Sequence, residues 1–148
     1  MFVPFTLTRI DGKKISSADL KGKYLVINFW DTWCGPCKSE MPELQKFFEK
    51  YKDSPDVVLL TIDTDDTLEQ VKKFIADTKY TIPVLREGDH LSKAGVNAFP
   101  TTWFVDPHGK IVFEKIGASK HLLEEFSWRV EGMMETEAAA KSEPAKTK

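Results

Sequence analysis

The chain has 148 residues, of which 41% are hydrophobic and 11% aromatic, enough apolar material to fill the core of one ordinary domain. Its 21 Lys and Arg stand against 23 Asp and Glu, so the net charge of −2 provides no basic field for a nucleic-acid backbone. The longest apolar stretch, residues 24–30, is broken by Asn28 and is far shorter than the about 20 residues that a membrane-spanning helix needs. These values predict a single globular domain that neither binds nucleic acid nor crosses a membrane.

The amino terminus leaves two cellular locations open. Met1 to Phe5 lack the basic stretch and the long apolar run of a secretory signal. The chain is therefore either a cytosolic protein or the soluble part of a longer protein that is exported or anchored.

The first part of the chain predicts a hairpin, a strand and a helix. Residues 5–15 are typical of a β-hairpin that turns at Asp11-Gly12. Residues 24–30 are β-branched and aromatic without polar alternation, which predicts a central strand buried on both faces. From Pro36 the apolar residues recur at steps of three or four, which predicts a helix that carries Cys37 in its first turn.

The second part of the chain continues the alternation and ends in a hairpin and a helix. In chain order we predict a strand at 57–62, a helix around 68–75, a short strand at 83–85, a brief helix at 91–96, a strand at 102–105, its antiparallel partner at 111–116 and a last amphipathic helix from residue 122. Strands that alternate with helices and finish in a hairpin predict an α/β sandwich, in which helices flank a central mixed sheet.

The carboxyl-terminal residues are small and polar, with no large apolar side chain after Met134. We therefore assign residues 1–134 to one folded domain and residues 135–148 to a disordered tail. Within this tail, residues 137–141 form one Glu-Ala-Ala-Ala-Lys unit, a helix-favouring spacer into which the last helix can extend.

Cys34 and Cys37 are the only cysteines, and their spacing is typical of a redox-active dithiol. Cys34 stands where a strand passes into a helix N-terminus, which favours its thiolate, the nucleophile of disulfide exchange. Cys37 lies one turn deeper and can attack a mixed disulfide formed at Cys34, which releases the reduced substrate. Between them, Gly35 lets a partner's backbone approach closely, and Pro36 suits a first helical turn that needs no N–H donor.

A structural role explains the two cysteines less well than redox chemistry. A structural zinc site would need two histidines beside the cysteines, but the three histidines of the chain are scattered, so we predict no metal ligand. They are His90, His108 and His121. A purely structural disulfide is disfavoured because so short a loop constrains the unfolded chain little.

Asp63, Asp65 and Asp66 resemble a metal cluster, but a strand end and the cap of the following helix explain them better.

Two motifs surround the predicted site. Residues 29–37 read Phe-Trp-Asp-Thr-Trp-Cys-Gly-Pro-Cys, and Phe99-Pro100-Thr101-Thr102 follows downstream. Together they resemble the thioredoxin superfamily. The leading hairpin and the segments 19–23, 38–42 and 106–110 are similar to its TlpA/ResA-like thiol-disulfide oxidoreductases, a redoxin or AhpC/TSA-like branch. The resemblance implies a thioredoxin-like fold with an N-terminal β-hairpin and a central αβ insertion.

The resemblance also implies a substrate-binding surface. Pro100 matches the cis-proline of the superfamily, and with Phe99 and Thr101 it is expected to hold a substrate strand. Trp33 is expected to shield the site and to offer an exposed contact surface. The other tryptophans are expected in the core: Trp30, Trp103 and Trp128.

The resemblance makes Glu40 the candidate for proton transfer. Glu40 matches a glutamate that TlpA/ResA-like proteins keep three residues after the second cysteine, where a partly buried carboxyl can exchange protons near Cys37. Thioredoxin instead uses a buried aspartate, but here that position is Asn28, which cannot titrate. A solvated residue in the first helical turn remains the alternative for Glu40. Asp31 replaces a small residue of the relatives, and a poorly solvated carboxylate there would oppose thiolate formation at Cys34.

We therefore predict a monomeric thiol-disulfide oxidoreductase that reduces protein disulfides without a bound cofactor, through the Cys34/Cys37 disulfide itself. The resemblance implies an extracytoplasmic bacterial location, a membrane thiol reductase as electron donor, and apocytochrome c or other exported proteins as substrates, with a cytoplasmic location as the alternative. Two other functions remain open. A thiol-dependent peroxidase would need a Pro-x-x-x-Thr-x-x-Cys cradle, which the chain lacks, and a non-catalytic binding module would use the same groove only to dock a partner.

Overall fold

The described elements follow the predicted alternation of strands and helices. The computed structural model describes residues 6–64, 66–86, 96 and 98–142. In chain order its elements are β1 (Thr6–Arg9), β2 (Lys14–Ser16), a 3-10 helix (Ser17–Leu20), β3 (Tyr24–Trp30), α1 (Gly35–Tyr51), β4 (Val57–Asp63), α2 (Leu68–Thr78), β5 (Val84–Arg86), β6 (Thr101–Val105), β7 (Ile111–Ile116) and α3 (Leu122–Ser142). The brief helix predicted at 91–96 lies outside the described residues, apart from Val96.

The strands of the described chain form one mixed sheet in the order β2-β1-β5-β4-β3-β6-β7. The central strand β3 pairs in parallel with β4 and antiparallel with β6. β5 pairs in parallel with β4 and antiparallel with β1, so it separates the hairpin β1–β2 from the rest of the sheet. The predicted α/β sandwich, its N-terminal hairpin and its central αβ insertion (α2 and β5) are confirmed.

The core lies on both faces of the central strand. Every residue of β3 is buried. Its side chains alternate between two clusters, with Val26 and Trp30 in one and Ile27 and Phe29 in the other. Buried residues of α1, α2 and α3 join the first cluster, and Val96 is buried in the second. A strand covered on both faces has no solvent-exposed side, which explains why its residues are apolar apart from the buried Asn28.

The last helix has one buried face, and Trp128 does not lie on it. Leu122, Phe126 and Val130 are buried at steps of four residues, whereas Trp128 is 65% exposed. The prediction that Trp128 belongs to the core is therefore wrong. With 3.6 residues per turn, a residue two positions after Phe126 points away from the face that Phe126 buries. The remaining tryptophans expected in the core are indeed buried: Trp30 and Trp103.

The helix α3 extends beyond the predicted end of the folded domain. The predicted boundary lay after Met134, but the helix continues to Ser142. Residues 135–142 are thus corrected from disordered tail to helix, because an alanine-rich segment extends a helix that packed residues upstream have already nucleated. Residues 143–148 lie outside the described residues. Each described helix is too short or too polar to cross a bilayer.

Candidate active site

Cys34 lies where the central strand passes into α1. It is the N-cap residue of α1, and Gly35 and Pro36 begin the helix. The backbone N–H of Cys37 donates to the Cys34 Sγ at 3.2 Å, so the helix N-terminus faces this sulfur. Free amide groups and the helix dipole stabilise negative charge, and this position therefore favours a thiolate at Cys34.

The two cysteines form a disulfide whose sulfurs differ in access. Cys34 is 6% exposed, whereas Cys37 is completely buried. An incoming thiol or disulfide therefore reaches Cys34 first, which supports Cys34 as the attacking residue and Cys37 as the resolving residue. A Cβ atom at Gly35 would meet no atom within 4 Å, so the space beside the disulfide is open to the backbone of a partner.

The expectation that these cysteines hold no zinc stays a prediction. His108 lies at the surface with its Nε2 2.9 Å from Glu137 Oε1. His121 is exposed, and His90 lies outside the described residues.

The downstream motif joins the site through an aromatic contact. The rings of Trp33 and Phe99 meet edge to face with their centroids 6.1 Å apart, and Trp33 is 62% exposed. The Phe99-Pro100 peptide bond is cis, as the resemblance implies. Thr101 is buried, and its hydroxyl donates to the Ala98 carbonyl at 2.7 Å. The side chain of Thr101 therefore holds the loop from inside, and its contact with a substrate strand stays a prediction.

Glu40 is a buried carboxyl group beneath the disulfide-bearing turn of α1. Its Oε1 accepts from Asn28 Nδ2 at 3.2 Å, and its Oε2 accepts from the Ser119 N–H at 3.1 Å. Glu40 is only 4% exposed, so the solvated alternative is wrong. Burial raises the pKa of Glu40 to about 7, although the hydrogen bonds from Ser119 and Asn28 oppose the rise.

Two residues of this carboxyl site could not be found from the sequence. Lys115 lies in β7 and Ser119 follows that strand, so both are far along the chain from Glu40. Lys115 lowers the pKa of Glu40 and forms an ion pair with Glu125 at 3.4 Å. The Ser119 hydroxyl also donates to Glu125 at 2.8 Å. No local pattern marks either residue, because the sheet alone brings them to α1.

Three aspartates meet where β3 and β4 end side by side. Asp31, Asp63 and Asp66 are 0%, 2% and 6% exposed, and one carboxylate oxygen of each lies within 4.8 Å of the others. The Asp31 carboxylate, which was expected to oppose thiolate formation at Cys34, has hydrogen-bond donors of its own. The Thr64 N–H and hydroxyl donate to its Oδ1 at 3.2 and 3.0 Å.

The sequence explained this acidic segment only in part. Asp63 ends β4 as expected, but the N-cap of α2 is Thr67, whose hydroxyl accepts from the Gln70 N–H. The predicted capping role of the aspartates is therefore wrong, since Asp66 instead accepts two hydrogen bonds from Thr32. Asp65 lies outside the described residues.

The sheet order and the disulfide at the start of α1 define a class of proteins, the thiol-disulfide oxidoreductases of the thioredoxin fold. Sequence comparison is more specific: the profile of the AhpC/TSA family matches residues 1–114. The thiol-disulfide oxidoreductase ResA of Bacillus thuringiensis subsp. konkukian is 38% identical over 125 residues, which cover 82% of this chain and 72% of ResA. The chain therefore belongs to the AhpC/TSA family and is a ResA-like thiol-disulfide oxidoreductase.

Solved structures agree with this assignment. StoA of Bacillus subtilis superposes with a TM-score of 0.73 at 28% identity, over 84% of this chain and 96% of StoA. A secreted disulfide oxidoreductase of Mycobacterium tuberculosis superposes with a TM-score of 0.73 at 25% identity, over 86% of this chain and 95% of that protein. Disulfide exchange is thus the activity common to fold, site and relatives.

Proposed function

We propose that the protein works as a reductant of disulfide bonds in exported proteins. The observation that carries this proposal is the unequal access to the two sulfurs at the N-terminus of α1. In the reduced protein, the Cys34 thiolate attacks a substrate disulfide, forms a mixed disulfide and releases one substrate thiolate. The Cys37 thiolate then attacks the Cys34 sulfur, which closes the Cys34–Cys37 disulfide and releases the second substrate thiolate. Two electrons pass to the substrate, so the exchange needs no bound cofactor.

Glu40 is proposed as the group that manages the proton of Cys37. The two residues are three positions apart on α1, so they share one side of the helix. An ionised Glu40 can accept the thiol proton when Cys37 becomes the resolving nucleophile, and a protonated Glu40 can return it to a leaving thiolate. Its pKa of about 7 keeps both forms populated at neutral pH.

The substrate is proposed to dock on the exposed surface formed by Trp33, Gly35, Pro36 and Phe99. Trp33 contributes the largest exposed apolar area beside Cys34, and its edge contact with Phe99 links the two motifs. Gly35 and Pro36 are exposed and leave room for an extended segment of a partner.

Location and electron supply are proposed from the relatives and from the family resemblance rather than from the site. The secreted M. tuberculosis protein supports an extracytoplasmic site of action. There, a membrane thiol reductase would reduce the Cys34–Cys37 disulfide after each cycle, and exported proteins such as apocytochrome c would be substrates. We propose that the protein acts as a monomer in this cycle.

Insulin reduction tests the exchange and the roles of the cysteines. Cys34→Ser should abolish the reaction, because no other thiolate attacks the substrate. Cys37→Ser should accumulate a mixed disulfide with insulin, visible as a band that thiol reductants remove on a non-reducing gel. No insulin reduction by the folded parent protein would instead leave a non-catalytic binding module.

The equilibrium potential of the couple tests the direction. Alkylation of the thiols in dithiothreitol buffers of graded ratio should give a value near or below about −250 mV, in the range of thioredoxin. A value near about −120 mV is that of a strong oxidant and would contradict the reductase proposal.

A pair of tryptophan variants tests the docking surface. Trp33→Ala should raise the KM for insulin about tenfold with little change of kcat, because an exposed aromatic anchor contributes to binding rather than to bond exchange. Trp128→Ala is the matched control, since Trp128 is equally exposed at 65% but lies on α3. The same rise of KM in both variants would exclude the proposed surface.

A further inference from the structure

The loops that follow β3 and β4 are fastened to each other beside the disulfide. Asp66 in the second loop accepts from the Thr32 N–H at 2.7 Å through Oδ2 and from the Thr32 hydroxyl at 2.8 Å through Oδ1. Asp31 in the first loop accepts from Thr64 in the second. Each loop thus supplies a carboxylate to a threonine of the other, and Thr32 lies two residues before Cys34.

The first loop also leads directly into the nucleophile. The N–H of Cys34 donates to the Asp31 carbonyl at 3.2 Å, which closes a turn across residues 31–34. A shift of Thr32 therefore moves Trp33 and Cys34 with it. The hydrogen bonds to Asp66 hold this turn against the body of the sheet.

Asp63 is the third aspartate of this cluster, and its protonation state decides the charge of the cluster. Its Oδ1 accepts from the Asp66 N–H at 2.9 Å, but no group of the described residues donates to its buried Oδ2. The charged groups around it are Asp31 at the end of β3, Asp66 in its own loop and Arg86 on β5, whose guanidinium donates to the Asp66 carbonyl at 3.2 Å. Three ionised carboxylates in so dry a space repel one another strongly, and an oxygen without a donor is satisfied when it carries the proton itself.

We propose that Asp63 keeps its proton at neutral pH and donates it to Asp66, and that this carboxyl pair positions the turn that carries Cys34. Burial and the hydrogen bond to Asp66 raise the pKa of Asp63 to about 9. Burial of Asp66 acts in the same direction, but the hydrogen bonds from Asp63 and Thr32 outweigh it and lower the pKa of Asp66. The pair therefore consists of one neutral and one ionised carboxyl group.

A bound divalent cation is the other way to neutralise three aspartates, and the surroundings favour it less. Asp31 and Asp66 already accept N–H and O–H donors, and the Arg86 guanidinium lies against the Asp66 backbone. The low exposure of all three carboxylates leaves little opening for the water ligands that Mg²⁺ and Ca²⁺ usually keep. A proton fits the site without further ligands.

The proposal makes Asp63 and Asp66 positioning residues, which act on Cys34 through Thr32. Its kinetic consequence rests on the disulfide exchange described above, but its consequence for stability does not. In the folded protein Asp63 releases its proton only near pH 9, whereas in the unfolded chain it does so near about pH 4. Its contribution to stability is therefore fully present below about pH 4 and is lost progressively as the pH rises to about 9.

Thermal unfolding of the oxidised protein, in which neither cysteine titrates, tests the shared proton. Asp63→Asn keeps a donor toward Asp66 but cannot ionise. The melting temperature of this variant should exceed that of the parent by a margin that grows from about pH 5 to about pH 9 and then stays constant. Asp77→Asn, which changes an exposed aspartate of α2, is the matched control and should show no such growth. A constant margin for Asp63→Asn would overturn the proposal, and so would stabilisation of the parent but not of this variant by millimolar CaCl₂ or MnCl₂.

The alkylation rate of Cys34 in the reduced protein tests the positioning role, independently of any substrate. Asp66→Asn should lower the rate at pH 7 about threefold, because an amide cannot accept both Thr32 hydrogen bonds and the turn loses its fixed geometry. Thr32→Val removes only the hydroxyl donor and should also lower the alkylation rate. It replaces Asp66→Asn in the test if that variant does not fold. Unchanged rates in the folded variants would sink the positioning role while leaving the disulfide reductase proposal intact.

Discussion

Glu40 and Asp63 are both buried carboxyl groups with raised pKa values, but they have different neighbours. Glu40 accepts N–H donors from Asn28 and Ser119, which stabilise its ionised form and offset part of the effect of burial. Asp63 instead faces two other carboxylates, so it holds its proton to a higher pH. Of these two carboxyl groups, Glu40 is thus the one that can take up and release a proton readily at neutral pH.

Glu40→Gln tests the proton transfer. In the parent, the rate of insulin reduction should rise as the pH passes through about 7, because ionised Glu40 accepts the Cys37 proton. The variant should lose this rise, and its rate at pH 8 should fall about tenfold or more, measured under conditions where the enzyme limits the reaction. A pH profile of the variant that coincides with that of the parent would contradict the role of Glu40.

The same variant has a consequence for stability. The pKa of Glu40 is raised from 4.5 to about 7, so its contribution to stability is present below about pH 4 and declines until about pH 7. Glu40→Gln should therefore melt above the parent at pH 7, by a margin that shrinks as the pH is lowered toward 4. Lower activity of Glu40→Gln together with a higher melting temperature would show that the carboxyl group serves function and not stability.

At the scale of elements, α1 combines the redox turn with the packing of the sheet. Its first turn carries Cys34 at the N-cap, and further along Phe47 is completely buried. The Phe47 ring lies 5.8 Å from that of Phe126 on α3 and 5.0 Å from that of Tyr51. These contacts fix the direction of α1, and with it the place of its first turn.

Phe47→Ala tests this coupling of packing to the site. The change should lower the free energy of unfolding by about 3 to 5 kcal/mol, because it leaves a cavity between α1 and α3. Phe48→Ala removes the same ring from a half-buried position of the helix and should cost clearly less. Equal losses, measured by urea unfolding, would mean that the ring of Phe47 is not the contact that fixes α1.

For the whole molecule, the sequence predicted the order of elements better than the contacts between them. The β-branched run of β3 and the spacing of the cysteines are local patterns, and both predictions are confirmed in the described fold. The contact of Glu40 with Ser119 and that of Asp31 with Thr64 join residues far apart in the chain, and no periodicity encodes them. The exposure of Trp128 was missed because apolar character alone does not show which face of a helix a residue occupies. The Glu-Ala-Ala-Ala-Lys unit did indicate that α3 can extend, but the domain boundary was set too early, after Met134.

The redox state should change the stability of the whole molecule. A reductant has a low potential, which means that its folded state favours the disulfide over the dithiol. Reduction of the Cys34–Cys37 disulfide should therefore lower the melting temperature by several degrees, since about 1 kcal/mol corresponds to about 3 °C in a chain of this size. Calorimetry with and without a phosphine reductant measures this shift, and the Cys34→Ser/Cys37→Ser double variant should show none. A higher melting temperature after reduction would identify an oxidant.

The parallel pairing of β3 with β4 has a consequence for engineering. It brings the residues after Asp63 to the back of the redox turn, while Trp33 and Phe99 form its outer surface. Substitutions at Thr64 and Asp66 can therefore change the driving force of the couple without replacing any residue of the face that a client protein meets. A set of variants at these two positions would form a graded series of redox catalysts that keep the same contact residues.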